Sequence, residues 1–352
     1  MELYGNPAIA GFEQDTRNLV MACYVASLAA GHTLLAISIK VDTIRRYLVA
    51  AKSFSFRAKL MDPTLTMYGK QARDIKAVLD EATRWEKVPN RAEPVTPEMV
   101  DYVIDKANEA IARGEPHHLY VAIADWLIMG LQSGFRKSEW AQDLALLRKT
   151  KDVQRNVDGT AKAFIRKDLT FRGPGERRIT RLTMTSLATA VSVGTTWRYQ
   201  KNGDNGQEMT YVRDTENPRH CYVSAARRIV KRALALQIPE DMPMGVFCTY
   251  RTQQGSRVIK EVIHFDDSSI NKFLREAAGE VYNITNPEEL KKFTAHSSRV
   301  DTCVLLHAAG KDPEYIKYRL RWRSDSWKVY LRNETALAVQ HLQALRTRVH
   351  GD

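Results

Sequence analysis

The sequence predicts a mainly α protein with a small antiparallel β-sheet, built as a helical N-terminal domain over residues 1–93 and a mixed α/β domain over residues 94–352. Three observations predict this. Apolar residues recur at helical spacing over most of the chain, and strand-like alternation is confined to its middle. A polar stretch with two prolines, Lys87 to Val95, interrupts the helical pattern as an extended linker. The length of 352 residues also exceeds what a single hydrophobic core ordinarily holds.

In chain order, residues 12–86 read as helices. Leu19, Cys23, Val25, Leu28 and the run Leu34 to Ile39 form apolar stripes broken at Gly31. The segment Thr43 to Val49 continues as a helix with bases beside an aromatic. Ala72 to Trp85 is amphipathic, with Ile75, Val78, Leu79 and Ala82 on one face. After the linker, Thr96 is placed as an N-cap with Pro97 at the first helical position. Helices are expected at 97–112, 117–133 and 137–145, a strand at 161–172, and two strands at 189–200 and 207–213. The last two flank Lys201-Asn202-Gly203-Asp204-Asn205-Gly206, whose residues tolerate positive φ and so read as a hairpin turn. Helices return at 221–236, 267–280, 297–309 and 312–320, with Gly310 as a stop. A further helical stretch runs from Glu334 to Arg346.

Net charge is +12 and the pI is near 9.5. Such a basic balance favours a polyanionic partner, with nucleic acid foremost. Residues 1–93 carry 13 basic and 10 acidic side chains, the remainder 40 and 31, so most of the excess lies in the second domain. The four cysteines, Cys23, Cys221, Cys248 and Cys303, match no zinc spacing and read as buried free thiols of a reducing compartment. The start shows no secretory pattern, and the longest apolar run, Leu119 to Leu131, is interrupted by Asp125 and too short to span a bilayer. The expectation is an intracellular protein with no membrane partner. No phosphate-cradling glycine motif or carboxylate cluster points to ATP or catalytic Mg²⁺, so no cofactor and no metal are expected.

Three separated residue sets make chemical sense together. Arg136 sits in Ser133-Gly134-Phe135-Arg136-Lys137-Ser138-Glu139. His296 and Arg299 sit three apart, on one face of a helix start. Trp322 and Tyr330 follow in Arg321-Trp322-Arg323-Ser324-Asp325-Ser326-Trp327-Lys328-Val329-Tyr330. A tyrosine can attack a phosphodiester and stay attached, conserving the bond energy for rejoining. Arginine forks bind two non-bridging oxygens at once and stay charged at any working pH. Histidine and indole N–H groups add donors, and a lysine can protonate a leaving oxygen. Each element alone has a bland counterpart. Arg136 and Glu139 could be a surface helix pair, H-x-x-R occurs by chance, and Trp322 could be a core aromatic as Trp327 is expected to be.

Taken together, these residues resemble the tyrosine recombinases, the family of phage integrases and site-specific recombinases. The match is specific over Gly134 to Glu139 and Thr294 to Asn333, and loose over residues 1–93. The resemblance implies a helical core-binding domain and a mixed α/β catalytic domain that close on duplex DNA. It also implies attack by Tyr330 to give a 3′-phosphotyrosine and a free 5′-hydroxyl. Arg136, His296, Arg299 and Trp322 would stabilise the transition state, with Glu139 supporting Arg136. Tyr330 lies eight residues after Trp322, where more familiar integrases have nine. Tyr315 and Tyr318 are read as structural, on a helix expected to pack. The general acid is assigned to Lys201, with Lys167 and Lys162 as alternatives. The interval from Arg136 to His296 is longer than in compact members, consistent with an insertion around 172–220. By resemblance the assembly is a homotetramer on two DNA sites, located with the DNA and serving a mobile element, and the tail helix docks in cis or in trans.

Other basic groups are expected to contact phosphates without chemistry: Arg45, Arg46, Arg57 and Lys59 in the first domain, and Arg166, Lys167, Arg172, Arg177, Arg178 and Arg181 in the second. His117, His118 and His264 read as structural. Two other readings stay open, a type IB topoisomerase-like enzyme and a DNA-binding relative without catalysis.

Overall fold

The computed structural model describes residues 13–32, 39–86, 92–150, 152–200, 203 and 205–331. The chain divides into two compact units, Met1–Asn90 and Arg91–Asp352.

In the first unit, α1 (Gln14–Ala30), α2 (Val41–Arg57) and α3 (Arg73–Trp85) enclose a small core. Met21, Val25 and Leu28 of α1 meet Val41, Ile44 and Leu48 of α2 and Ile75 and Leu79 of α3. The buried stripe of α1 differs from the expected one. Counting back from Leu28 and Val25 at helical spacing leads to Met21, Ala22 and Asn18, and leaves Leu19 and Cys23 facing outward. Cys23 is therefore exposed rather than buried, while the other three cysteines are buried. The expected stripe at Leu34 to Ile39 lies, except for Ile39, outside the described residues.

The second unit is organised around α5 (Leu119–Ser133), which is buried almost all round. It is preceded by α4 (Pro97–Ala112). Thr96 is the N-cap residue of α4, but its hydroxyl pairs with Tyr282 Oη and makes no capping bond. His118 instead caps α5, its Nδ1 accepting from Tyr120 N–H at 3.2 Å. Asp125, which interrupts the apolar run, is buried because Arg228 and Arg232 each pair with it at 2.5 Å. Both arginines belong to α8 (Tyr222–Ala235), so this cluster fastens α8 to α5.

The expected helix 137–145 is broken into α6 (Lys137–Trp140) and α7 (Leu144–Thr150). The break has a local cause. Gln142 leaves the helix to bond Phe265 O through its N–H (2.8 Å) and to receive Asp267 N–H at its carbonyl (3.1 Å). The expected strand 161–172 shortens to β1 (Leu169–Arg172). Before it, Asp168 folds the chain into a 3-10 turn by accepting Ile165 N–H at 2.8 Å, and pairs with Arg198 at 2.6 Å. β1 joins β2 (Ser192–Trp197) and β3 (Gln207–Val212) in an antiparallel sheet of order 1-2-3, with Thr195 opposite Leu169 on one side and Met209 on the other.

A second antiparallel hairpin, β4 (Val246–Gln253) and β5 (Ser256–His264), was not expected from the sequence. Its signal was Gln254-Gly255 between two β-branched runs; both turn residues have positive φ (48° and 77°), as a primed hairpin turn requires. Helices α9 (Asp267–Tyr282), α10 (Pro287–Leu290), α11 (Ser297–Ala308) and α12 (Pro313–Leu320) follow, then a 3-10 turn over Asp325–Tyr330. Trp327 is buried with Cys303, Ile316 and Leu320. Tyr315 and Tyr318 do not pack as expected; they are exposed on α12. Among the described residues no helix is long and apolar enough to cross a membrane. The stretch Glu334 to Arg346 lies outside the described residues.

One buried group gives a pH-dependent stability. Asp301 on α11 is 3% exposed and its Oδ2 has no hydrogen-bond partner among the described residues. Burial, with Glu98 nearby, pushes its carboxyl up to about 7. Between the usual 3.8 and about 7 the folded state keeps a proton that the unfolded chain has released, so stability falls as pH rises through that window. Asp301→Asn should therefore stabilise the protein, and more at pH 8 than at pH 5, by roughly 2–3 kcal/mol of difference in urea unfolding.

Candidate active site

The site forms where two helices end and one begins. α5 stops at Gly134, whose φ of 59° is left-handed. A Cβ there would strike Leu320 Cδ2, so glycine is favoured both by conformation and by the packing of Leu320. α12 stops at Arg321, also left-handed with φ of 56°. α11 starts at His296, its N-cap residue.

Arg299, one turn into α11, is 1% exposed and bridges the other two ends. Its Nη1 donates to Gly134 O at 2.7 Å and its Nη2 to Leu320 O. Its guanidinium carbon lies 4.5 Å from the centre of the Trp322 ring. Burial first, then Arg321 and Arg136, lower its pKa well below the arginine range. Arginine nonetheless stays protonated in proteins, so a buried positive charge sits at this junction.

Arg136 precedes α6. Its backbone N–H donates to Glu139 Oε2 at 2.8 Å and its Nη1 to Glu139 Oε1 at 3.2 Å, while Nη2 reaches Arg321 O at 3.3 Å. Glu139 is buried and takes a second cation, Arg321, whose Nη2 lies 3.1 Å from Oε2. Arg321 also donates to Ser133 O at 3.2 Å and lies over the Trp197 ring at 4.0 Å.

Tyr330 Oη is 3.0 Å from His296 Nε2, and its ring stacks on Trp322 with centroids 5.6 Å apart and planes 16° from parallel. Burial, then Arg299 and Arg136, lower the His296 pKa from its usual 6.5, which favours the neutral imidazole at pH 7. Arg136, His296, Arg299, Trp322 and Tyr330 thus line one open cleft of about 580 Å³, together with Lys137, Ser138, Arg321, Arg323 and Ser324.

Lys201 lies outside the described residues, as do Asn202 and Asp204 of the same turn. Neither alternative lysine lines the cleft. Lys162 is exposed, and Lys167 lines a separate basic cleft of about 610 Å³ with Arg166, Arg178, Arg181 and Glu240. Arg172 is engaged within the sheet, paired with Glu208 at 2.5 Å. Arg177 is exposed near that basic cleft's Arg178. Arg45, Arg46, Arg57 and Lys59 are exposed on and just after α2, with Arg45 paired to Asp42 at 3.2 Å. Sequence reasoning missed Arg321. Its signal was an arginine beside Trp322 at the predicted end of a helix.

No protein-family model and no curated protein matches the chain. Among solved structures, it is similar to the Tn1549 transposon integrase in complex with transposon right-end DNA, at 14% identity and a TM-score of 0.35, over 87% of this chain and 93% of that one. It is also similar to the same integrase in complex with circular-intermediate DNA, at 14% identity and a TM-score of 0.31, over 90% and 98% of the two chains.

Two outcomes test this geometry. In a histidine-resolved NMR titration, the His296 ring should reach half-protonation below pH 6.5; a ring already mostly charged at that pH contradicts the placement. Gly134→Ala should cost roughly 2–4 kcal/mol in urea unfolding, from left-handed strain plus the clash with Leu320.

Proposed function

We propose that this protein is a tyrosine recombinase that cuts and rejoins DNA through a 3′-phosphotyrosine. The observation that carries the proposal is one cleft that gathers a tyrosine hydroxyl, 3.0 Å from a histidine nitrogen, with the guanidinium groups of Arg136, Arg299 and Arg321, the first and last of which share the Glu139 carboxylate. Arg136, Arg299 and Arg321 against Glu139 leave an excess of two positive charges when His296 is neutral. A phosphodiester supplies negative charge, and its pentavalent transition state supplies more.

In this reading, Tyr330 Oη attacks phosphorus and the bond to the 5′-oxygen breaks. His296 Nε2, as acceptor, takes the phenolic proton. Arg136 and Arg299 hold the non-bridging oxygens, and the stacked Trp322 fixes the Tyr330 ring. Lys201 is proposed to protonate the leaving 5′-oxygen. A 5′-hydroxyl then attacks the phosphotyrosine and releases the phenol. We assign residues 1–93 to DNA binding through the exposed Arg45, Arg46, Arg57 and Lys59, and the basic cleft around Arg166, Lys167 and Arg178 to phosphate contacts outside the reaction centre. Transfer of strands between two sites by a homotetramer, in the service of a mobile element, completes the proposal.

The test is a covalent-adduct assay. Protein and supercoiled plasmid carrying a library of inserted sites are mixed in EDTA and quenched with detergent, and DNA-linked protein is recovered. Wild type should form an adduct, Tyr330→Phe should form none, and both should shift DNA equally in gels. An adduct that persists in Tyr330→Phe rejects Tyr330 as the nucleophile. Relaxation without strand exchange would favour a topoisomerase instead.

A further inference from the structure

Arg321 performs no step in the reaction scheme above. Its side chain has no exposure and is paired with the Glu139 carboxylate. It sits behind Glu139, between that carboxylate and the Trp197 ring. Its backbone also occupies a left-handed conformation that non-glycine residues avoid, so glycine would serve the turn better. An arginine held there against that preference needs a reason, and the contacts supply one.

Glu139 is bound from two sides. Arg136 donates to it through the backbone and through Nη1, and Arg321 Nη2 approaches Oε1 at 3.4 Å and Oε2 at 3.1 Å. A buried carboxylate facing one guanidinium forms a closed ion pair, with the donors turned inward. Sharing the carboxylate with a second guanidinium weakens its hold on the first. The Arg321 carbonyl meanwhile takes Arg136 Nη2 at 3.3 Å and so fixes the plane of the fork.

We propose that Arg321 is a positioning residue: by sharing Glu139 and by offering its own carbonyl, it keeps the Arg136 fork aimed into the cleft and available to a tetrahedral oxyanion. This rests on the reading of the cleft as a phosphodiester site. Trp197, the last residue of β2, braces the guanidinium from behind.

The test uses the full chain and tungstate, a tetrahedral oxyanion of phosphate geometry, with binding read by calorimetry and folding checked by circular dichroism. Arg136→Ala should weaken tungstate by about ten- to a hundredfold, the loss of one charge-assisted contact. Arg321→Met should weaken it by a similar factor, because the Arg136 fork is then drawn back onto Glu139. The double variant should be no weaker than Arg136→Ala alone, within about twofold, because Arg321 acts only through Arg136. A merely structural role would lower affinity additively in both backgrounds and overturns the proposal, as does wild-type affinity in Arg321→Met. If Arg321→Met does not fold, Arg321→Lys carries the same cycle. Its single-pointed cation should weaken tungstate by about two- to fivefold, again only where Arg136 is present. Wild type that does not bind tungstate at all rejects the phosphodiester reading itself, and this inference with it.

Discussion

A guanidinium buried among main-chain carbonyls holds the site together. Helix ends leave carbonyls without intrahelical partners, and a buried end must find donors elsewhere. Arg299 takes Gly134 O at the end of α5 and Leu320 O at the end of α12, while Arg321 takes Ser133 O. These carbonyls lie at the negative ends of the helix dipoles, where a cation is favoured. One interaction therefore solves two problems. It satisfies two buried helix ends and fixes an arginine, with little freedom left, at the floor of a cleft.

The other site groups inherit their positions from that junction. Gly134 is glycine because its φ is left-handed and because Leu320 occupies the space a Cβ would fill. Arg136 comes two residues later and is aimed by Glu139 and by the carbonyl of Arg321. Trp322 follows Arg321 directly and lies over Arg299, and the Tyr330 ring stacks on Trp322. His296 starts the helix that carries Arg299, which brings its Nε2 within 3.0 Å of Tyr330 Oη. The cost of gathering this much positive charge is only partly offset by Glu139. Such a cleft favours an anionic ligand most where charge builds up during reaction.

Legibility in the sequence followed the range of the interactions. Helices with an apolar face were readable to within a few residues, as in Pro97–Ala112 and Tyr222–Ala235. Errors fell where a distant partner overrode the local pattern. Gln142 breaks a helix because Phe265 and Asp267, far along the chain, claim its backbone. Asp168 delays the expected strand until Leu169 because it turns back onto Ile165 N–H and pairs with Arg198. The hairpin from Val246 to His264 is hard to read because its strands are only partly buried and alternate weakly, although its two-residue turn is present in the sequence.

By itself, the sequence determined the mainly helical class, the break near the Pro89–Pro94 linker, and the set Arg136, Glu139, His296, Arg299, Trp322 and Tyr330. These are set by local spacing and by residue chemistry, and both can be read along the chain. Tertiary structure alone decided that these residues share one cleft, that Tyr315 and Tyr318 face away from the core, and that Arg172 is engaged by Glu208. It alone placed Arg321 behind Glu139. The physical reason is that each of these depends on which groups meet after the helix ends at Gly134 and Leu320 converge on Arg299. That convergence joins residues 134, 299 and 320, and no local pattern encodes it.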